Sequence, residues 1–491
     1  MASDEMPDWL WQRARISPEK PALICASERW TFAELDRQVE AVAARLTAAG
    51  VRPGERVALL ARNSAGFAQT VHAIARVAAV LVPLNVRLSE PELRWQLEDI
   101  DASALIYDGV DAAVAAALRP GLRTLALSQL TVRDDGVATD AGAEPPRFRL
   151  PAVHSIVYTS GTGGQPKGAM LTYDNHYRSA IASMLNLGLR GDDGWLACLP
   201  LFHVGGLAVL LRSVIYGIPA IVHESFDPLA VNRAIDEDGV SIASVVGAML
   251  QRMLDARGDR PYPAMLRVLA GGGPLPRSLL EECTRRGVPV VQTYGLTEAA
   301  SQVATLSPDD ALRKLGSAGK PLFANELRIV GDGGSVLPAG VPGEIVVRGP
   351  TVMAGYHGRP EETARALRDG WLHTGDIGYL DEEGFLYVLD RRDDLIISGG
   401  ENVYPAEVES VLVSHPAVEE AGVVGLPDEQ WGQRVVALVR LRAGATVTEE
   451  QLRAFCRERL AGYKVPASVR FVDALPRSAQ GKLLRRKLRV E

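Results

Sequence analysis

Tyr158-Thr-Ser-Gly-Thr-Gly-Gly-Gln-Pro-Lys-Gly168 is the stretch on which the reading of this chain turns. It follows a short apolar run, 155–158, of the kind that forms a buried strand. Gly161, Gly163, Gly164 and Gly168 free the backbone to turn. Thr159, Ser160 and Thr162 offer hydroxyls, and Lys167 adds a positive charge. Bare N–H groups, hydroxyls and a lysine at the end of a strand can cradle a polyphosphate. The order of residues fits neither the Gly-x-x-x-x-Gly-Lys-Ser/Thr loop nor Gly-x-Gly-x-x-Gly. The plain alternative is a glycine-rich surface turn.

Outward from this stretch, apolar β-rich runs alternate with Ala/Leu/Arg-rich segments through the first two-thirds of the chain. Strands are predicted at 57–60, 104–107, 155–158, 219–222, 243–246, 266–270 and 288–292, with helices at 32–48 and 91–98. This alternation predicts an α/β fold with mostly parallel sheets buried on both faces. From about Glu326 the texture changes. Short runs at 326–330, 343–348 and 385–389, spaced by Gly, Pro and Asp turns, predict a small antiparallel β unit. The five charged residues Asp390-Arg-Arg-Asp-Asp394 mark a boundary. After it an α+β pattern follows: helix 405–414, strands 418–425 and 434–440, helix 448–459 and strand 469–472. The expected division is a large unit over 1–390 and a small one over 395–491, joined by 391–394. Residues 134–146 read as an exposed loop.

The chain's 491 residues leave room for two or three structural units. With 47% apolar residues and a net charge of only −7, disorder is excluded as the dominant state. Cys25, Cys198, Cys283 and Cys456 lie far apart with no CxxC pair, against a zinc knuckle or disulfide framework and in favour of cytoplasmic thiols. The N-terminus carries early acids and no uninterrupted apolar core, so no secretory signal is read. The apolar stretch 67–84 is broken by His72, Arg76 and Pro83, and reads as a buried helix and strand, not a membrane span. Mild acidity gives no electrostatic case for nucleic acid. The basic run 482–489 reads as the exposed face of a last helix. Self-association is left open.

Further motifs follow in order. Gly271-Gly-Gly-Pro274 succeeds the predicted strand 266–270. Gln292-Thr-Tyr-Gly-Leu-Thr-Glu298 brings an aromatic ring, a hydroxyl and a hard carboxylate within five residues. These suit a base, an oxyanion and Mg²⁺ respectively. Trp371-Leu-His-Thr-Gly-Asp376, then Arg391 through Pro405, then Pro476-Arg-Ser-Ala-Gln-Gly-Lys482 complete the series.

Taken together these motifs resemble the adenylate-forming superfamily of acyl-CoA synthetases, peptide-synthetase adenylation domains and luciferases. Its phosphate loop reads Thr-Ser-Gly-Thr-Thr-Gly-x-Pro-Lys-Gly. This chain departs once, with Gly163 for threonine, losing a hydroxyl but keeping the backbone N–H. The resemblance implies a large α/β domain and a small mobile α+β lid. It also implies ATP phosphates held by Thr159, Ser160, Gly161, Thr162, Gly163, Gly164 and Lys167. Adenine would lie against Gly271, Gly272, Gly273, Tyr294 and Gly295, and ribose on Asp376 and Arg391. Thr297 would meet the α-phosphate and Glu298 would hold Mg²⁺. Asp393 would be the hinge, Ser398, Gly399 and Gly400 would line the pantetheine passage, and Lys482 would be the catalytic lysine.

The implied chemistry is two half-reactions: a carboxylate attacks ATP to give acyl-AMP and pyrophosphate, and the thiol of coenzyme A then displaces AMP. No carrier domain is expected after Lys482. The segments 199–207, 212–217, 244–252, 297–302 and 315–321 most resemble 2-succinylbenzoate–CoA ligases of menaquinone biosynthesis. Within them His203, Arg212, Ser301 and Gln302 are the candidates to hold the second carboxylate of that acid, and His203 is also a candidate at the reacting centre. Arg212 could equally be part of a structural salt bridge. An aryl- or fatty-acyl-CoA ligase is the near alternative. A luciferase-like oxidoreductase would share only the adenylation. A non-catalytic nucleotide-binding protein would be expected to lose Lys482 or Glu298, and both are present.

Overall fold

The computed structural model describes residues 4–109, 112–132, 145–159, 166–272, 275, 277–331, 333–390, 396–403, 405–476 and 488. Most of the predicted loop 134–146 lies outside them.

Two sheets build the large part of the molecule. The first has seven strands, ordered Gly355–Tyr356, Lys167–Thr172, Val153–Thr159, Val80–Pro83, Arg56–Leu60, Ala104–Tyr107 and Arg123–Ala126. Its last five strands run parallel, and Val153–Thr159 and Lys167–Thr172 form an antiparallel pair. The second sheet has a parallel centre: Arg267–Gly271 lies between Ile242–Val246 and Val290–Leu296, with Trp195–Ala197, Ala220–Val222 and Pro21–Cys25 beyond.

The helices form where apolar residues recur on one face and a cap satisfies the first turn. Phe32–Ala48 starts with a reciprocal Thr31/Glu34 capping box and buries Phe32, Leu35, Val39, Val42 and Leu46. Ala65–Arg76 is capped by Ser64 and is buried along nearly its whole length. The stretch 67–84 is therefore a core helix and strand, as its broken hydropathy implied. Trp195, Phe32 and Phe67 are among the largest fully buried side chains of the main core. A second core, including Val231, Met253, Val268 and Leu280, covers the other face of the second sheet.

The expected antiparallel β unit after Glu326 is present: Glu326–Val330, Gly343–Arg348, Trp371–Leu380 and Leu386–Asp390 pair antiparallel and join the second sheet through Ser317–Pro321 and Ser301–Leu306. Gly319 permits the join. It has φ 85°, and a Cβ there would overlap the Thr305 backbone.

Residues 396–476 form a five-stranded sheet with the helices Pro405–Val413 and Glu449–Arg457. They enclose a core of their own around Val408, Leu412, Val423, Val439 and Leu452. Among the described residues, no helix is long and apolar enough to cross a membrane.

Candidate active site

A cleft of about 1100 Å³ opens at the carboxyl ends of parallel strands, lined by Val246, Gly271, Gly272 and Gly295 on one side and by Thr159 on the other. Open α/β sheets present ligands at such ends. Thr159 pairs with Lys167 across the hairpin, so the two flanks of the glycine-rich stretch lie side by side. Ser160, Gly161, Thr162, Gly163, Gly164, Gly273, Arg391, Asp393 and Lys482 lie outside the described residues.

The chemistry-bearing turn follows Val290–Leu296. The chain passes through a single 3₁₀ turn, Thr297–Ala299, and returns antiparallel as Ser301–Leu306. The fold-back is tight: a Cβ on Gly295 would overlap the Ser301 carbonyl oxygen. Glu298 stands beside the hairpin that carries Thr159. Its Oε1 accepts hydrogen bonds from Tyr356 Oη at 2.9 Å and Thr159 Oγ1 at 3.4 Å, and its own carbonyl accepts from Met353 N–H at 2.8 Å. The Lys167 ammonium lies 5.1 Å from the centre of the Tyr356 ring. Among the described residues, no group of three or more His, Cys, Asp or Glu could cage a metal ion. A single carboxylate beside hydroxyls suits Mg²⁺ that arrives on phosphates and keeps its own water.

Tyr294 is buried and donates to Asp376 Oδ2 at 2.6 Å, which ties together the two residues expected at base and ribose. Asp376, Thr293 and Gly295 line the cleft around them.

His203, Arg212, Ser301 and Gln302 also line this cleft. Gln302 is 2% exposed, and neither its amide nitrogen nor its oxygen has a hydrogen-bond partner among the described residues. Leaving such a group unsatisfied costs about 1–3 kcal/mol. Arg212 is 3% exposed. Its guanidinium donates to Ser179 Oγ at 3.0 Å and faces the Trp195 ring at 5.6 Å. It makes no ion pair with a described residue, so the salt-bridge alternative has no partner among them. Burial pulls its pKa down from the usual arginine value.

The small sheet closes the cleft with Gly399, Gly400, Glu401, Trp431, Tyr463 and Lys464. Ser398 is buried and opposes Glu401 across a tight hairpin. The buried Glu401 carboxylate accepts from Arg87 at 2.8 Å and Asn85 at 3.3 Å, and lies 3.1 Å from His203 Nε2. Burial pushes this carboxyl up, but His203, Arg87 and Lys464 outweigh burial and hold it below the ordinary carboxylate range. Beside it, Lys464 Nζ bridges Glu92 at 2.5 Å and Glu407 at 2.7 Å. Burial alone would lower the Lys464 pKa; the two carboxylates raise it. Glu401, Arg87, Asn85, Glu92 and Lys464 were not singled out in the sequence. Glu401 directly follows the flagged Ser398-Gly-Gly400, and that adjacency was the one available signal.

A model of the AMP-binding enzyme family matches residues 10–357, and a model of the AMP-binding enzyme C-terminal domain matches residues 407–482. The chain is 50% identical over 488 residues to a 2-succinylbenzoate–CoA ligase of Bacillus cereus, covering 99% of this chain and 98% of that one. It is similar to a solved double mutant of o-succinylbenzoate CoA synthetase from Bacillus subtilis, bound with its product analogue OSB-NCoA. The TM-score is 0.93 at 44% identity, over 99% of both chains. The same enzyme in complex with the acyl-adenylate intermediate OSB-AMP also covers 99% of both chains at 44% identity, but gives a TM-score of 0.76.

Proposed function

The chain belongs to the AMP-binding enzyme family, and from that premise we infer how its cleft joins 2-succinylbenzoate to coenzyme A with ATP as the driving substrate. The protein is an AMP-forming acid–CoA ligase that uses ATP, Mg²⁺ and coenzyme A. In the first half-reaction an oxygen of the aliphatic carboxylate attacks the α-phosphorus of ATP. The bond to pyrophosphate breaks and acyl-AMP forms. Thr159, Lys167 and the glycine-rich stretch between them bind the phosphates. Glu298, already oriented by Tyr356, holds Mg²⁺ on them, where the cation neutralises charge that leaves with pyrophosphate. Thr297 bonds the α-phosphate, Asp376 and Arg391 the ribose. Lys482 stabilises charge on the attacking carboxylate and the bridging oxygens. In the second half-reaction the coenzyme A thiol loses its proton and attacks the acyl carbonyl, and AMP leaves with the electrons of the C–O bond. Catalysis rests on positioning and electrostatics, with no covalent enzyme intermediate.

The acid assignment is carried, in this chain's own geometry, by the unpaired polar wall of the cleft. A buried guanidinium at Arg212 with no carboxylate partner among the described residues, and a Gln302 amide unsatisfied by them in the same cleft, are matched by a substrate that brings a second carboxylate. Ser301 lines the same cleft, and so does His203, whose Nε2 is engaged by Glu401.

Residues 1–390 are the adenylation domain, 391–394 the hinge around Asp393, and 395–491 the lid. The lid sits here in the orientation for thioester formation. This is supported by the higher TM-score to the product-analogue complex and by Gly399–Gly400 lining the cleft with Glu401 on Arg87 and His203. The four free cysteines support a cytoplasmic setting.

The test is direct. Purified protein with ATP and Mg²⁺ is offered a panel of acids, pyrophosphate release is followed with and without coenzyme A, and the thioester is identified by mass. 2-Succinylbenzoate should be the preferred acid and 2-succinylbenzoyl-CoA the product. Preference for benzoate or a medium-chain fatty acid would overturn the acid assignment and leave the ligase mechanism intact.

A further inference from the structure

We propose that Ser179, on the helix Tyr173–Leu187, is a positioning residue that aims the acid-binding wall of the cleft, a role that rests on the acid assignment made above. Ser179 is not among the residues lining the cleft. It is 3% exposed, and its one hydroxyl stands between two parts of that wall. Arg212 Nη2 lies 3.0 Å from Ser179 Oγ, which lies 2.7 Å from the Ala300 carbonyl. A guanidinium can only donate, so the hydroxyl must accept from Arg212. Its own proton is then committed to Ala300. The order of this chain of bonds is thus fixed by chemistry, and each bond polarises the next.

Ala300 needs such a hold. It has φ 51° and Ser301 has φ 97°, two successive residues with side chains in the left-handed region. Backbone of this kind persists only where its surroundings over-determine it. The turn decides where Ser301 and Gln302 face, because both follow it directly. One side of it is packed by Gly295, over which the Ser301 carbonyl closes. The Glu298 end is held separately, by Met353 N–H on the Glu298 carbonyl and by Tyr356 on its carboxylate. Between these two holds, the Ala300 carbonyl accepts from Ser179, behind the cleft wall. The same hydroxyl fixes the direction of the buried Arg212 guanidinium. Loss of this hydroxyl should therefore loosen the acid-binding groups and spare the ATP-binding ones.

Steady-state adenylation, read as pyrophosphate release, tests this with Ser179→Ala. The KM for the acid should rise about fivefold or more, as for one lost hydrogen bond, while the KM for ATP stays within about twofold. A merely structural defect would move both together. The same substitution is then made in an Ala300→Gly background. Glycine takes φ near 50° without strain, so the penalty of removing the hydroxyl should fall to about half or less of its fold-change. An unchanged acid KM, parallel rises in both KM values, or an equal penalty in the glycine background would each overturn the proposal. Should the alanine variant not fold, Ser179→Cys serves in its place, since a thiol fills the site but donates weakly. Wild-type protein is assayed first on the acid panel. If it turns over a different acid, the acid assignment fails, and the comparison is made on the acid that is used.

Discussion

Gln302 has a buried amide whose two polar atoms find no described partner, and it faces a cleft. If the second carboxylate of the acid satisfies it, Gln302→Ala should raise the acid KM by about tenfold or more and leave the ATP KM alone, since a hydrogen bond to a charged group is worth about 1.5–3 kcal/mol. An equal effect on both KM values would place Gln302 outside the acid pocket. Glu298→Gln should cut adenylation and raise the Mg²⁺ concentration needed for half-maximal rate, because an amide is a poorer ligand for a hard cation. An unaltered Mg²⁺ titration would remove Glu298 from the metal. The two residues differed in legibility. Glu298 stands out as a candidate from its local string, Tyr-Gly-Leu-Thr-Glu, in which an aromatic ring, a hydroxyl and a carboxylate fall within five residues. Gln302 and Arg212 were readable only as candidates, since what marks them is a missing partner, and that is a property of packing. Glu401 went unread because its partners, Arg87 and His203, lie 314 and 198 residues away in sequence.

Elements with a strong period were legible nearly to the residue. The helix Phe32–Ala48 and the strands Ala104–Tyr107, Glu326–Val330 and Gly343–Arg348 fall where apolar spacing and flanking turns put them. Elements shaped by a tertiary neighbour were not. The strand Val290–Leu296 runs four residues past its expected end, because Ser301–Leu306 pairs with it through Tyr294 and Gly295. The antiparallel run after Glu326 was legible, but its join to the second sheet at Gly319 was not, since close approach leaves no trace in periodicity. At this scale the contact of lid and body makes a further prediction. Lys464 joins Glu407 on its own side to Glu92 on the other. Glu92→Gln leaves the buried Lys464–Glu407 pair intact and removes the Lys464 ion pair across the interface, while Glu401 keeps Arg87 and His203. Thioester formation from supplied acyl-AMP should slow, and adenylation should hold its rate. Equal slowing of both would show that the bridge serves stability and not the lid orientation.

The whole molecule carries a buried group of histidines that should make it sensitive to acid. His72, His154 and His176 lie on three elements that meet in the core. His154 and His176 are 4.8 Å apart between ring centres, and His154 Nδ1 lacks a described partner. Burial, first, lowers all three. His72 falls to about 4, with Asp8 opposing and Arg76 assisting, and His176 to about 3, with Arg212 assisting. His154 falls well below its usual value, helped by the other two histidines. The folded state then binds fewer protons than the unfolded one below about pH 6.5. Stability from this source is full above that pH and is lost as pH falls toward the depressed values. Each histidine steepens the loss by up to about 1.4 kcal/mol per pH unit. Urea unfolding at pH 7 and pH 5 should show His154→Phe as stable as wild type at pH 7 and less weakened at pH 5. An unchanged pH 7-to-5 difference would mean that His154 is not a source of the acid slope.

In an acyl-adenylate path one oxygen of the acid passes to the phosphate of AMP, and an isotope follows it. 2-Succinylbenzoate labelled with oxygen-18 in its aliphatic carboxylate alone is turned over with ATP, Mg²⁺ and coenzyme A, and AMP and thioester are analysed by mass. An acyl-adenylate path requires one labelled oxygen in the phosphate of AMP and one in the thioester carbonyl. Label in orthophosphate with ADP as the nucleotide product, or no label in AMP, would contradict it.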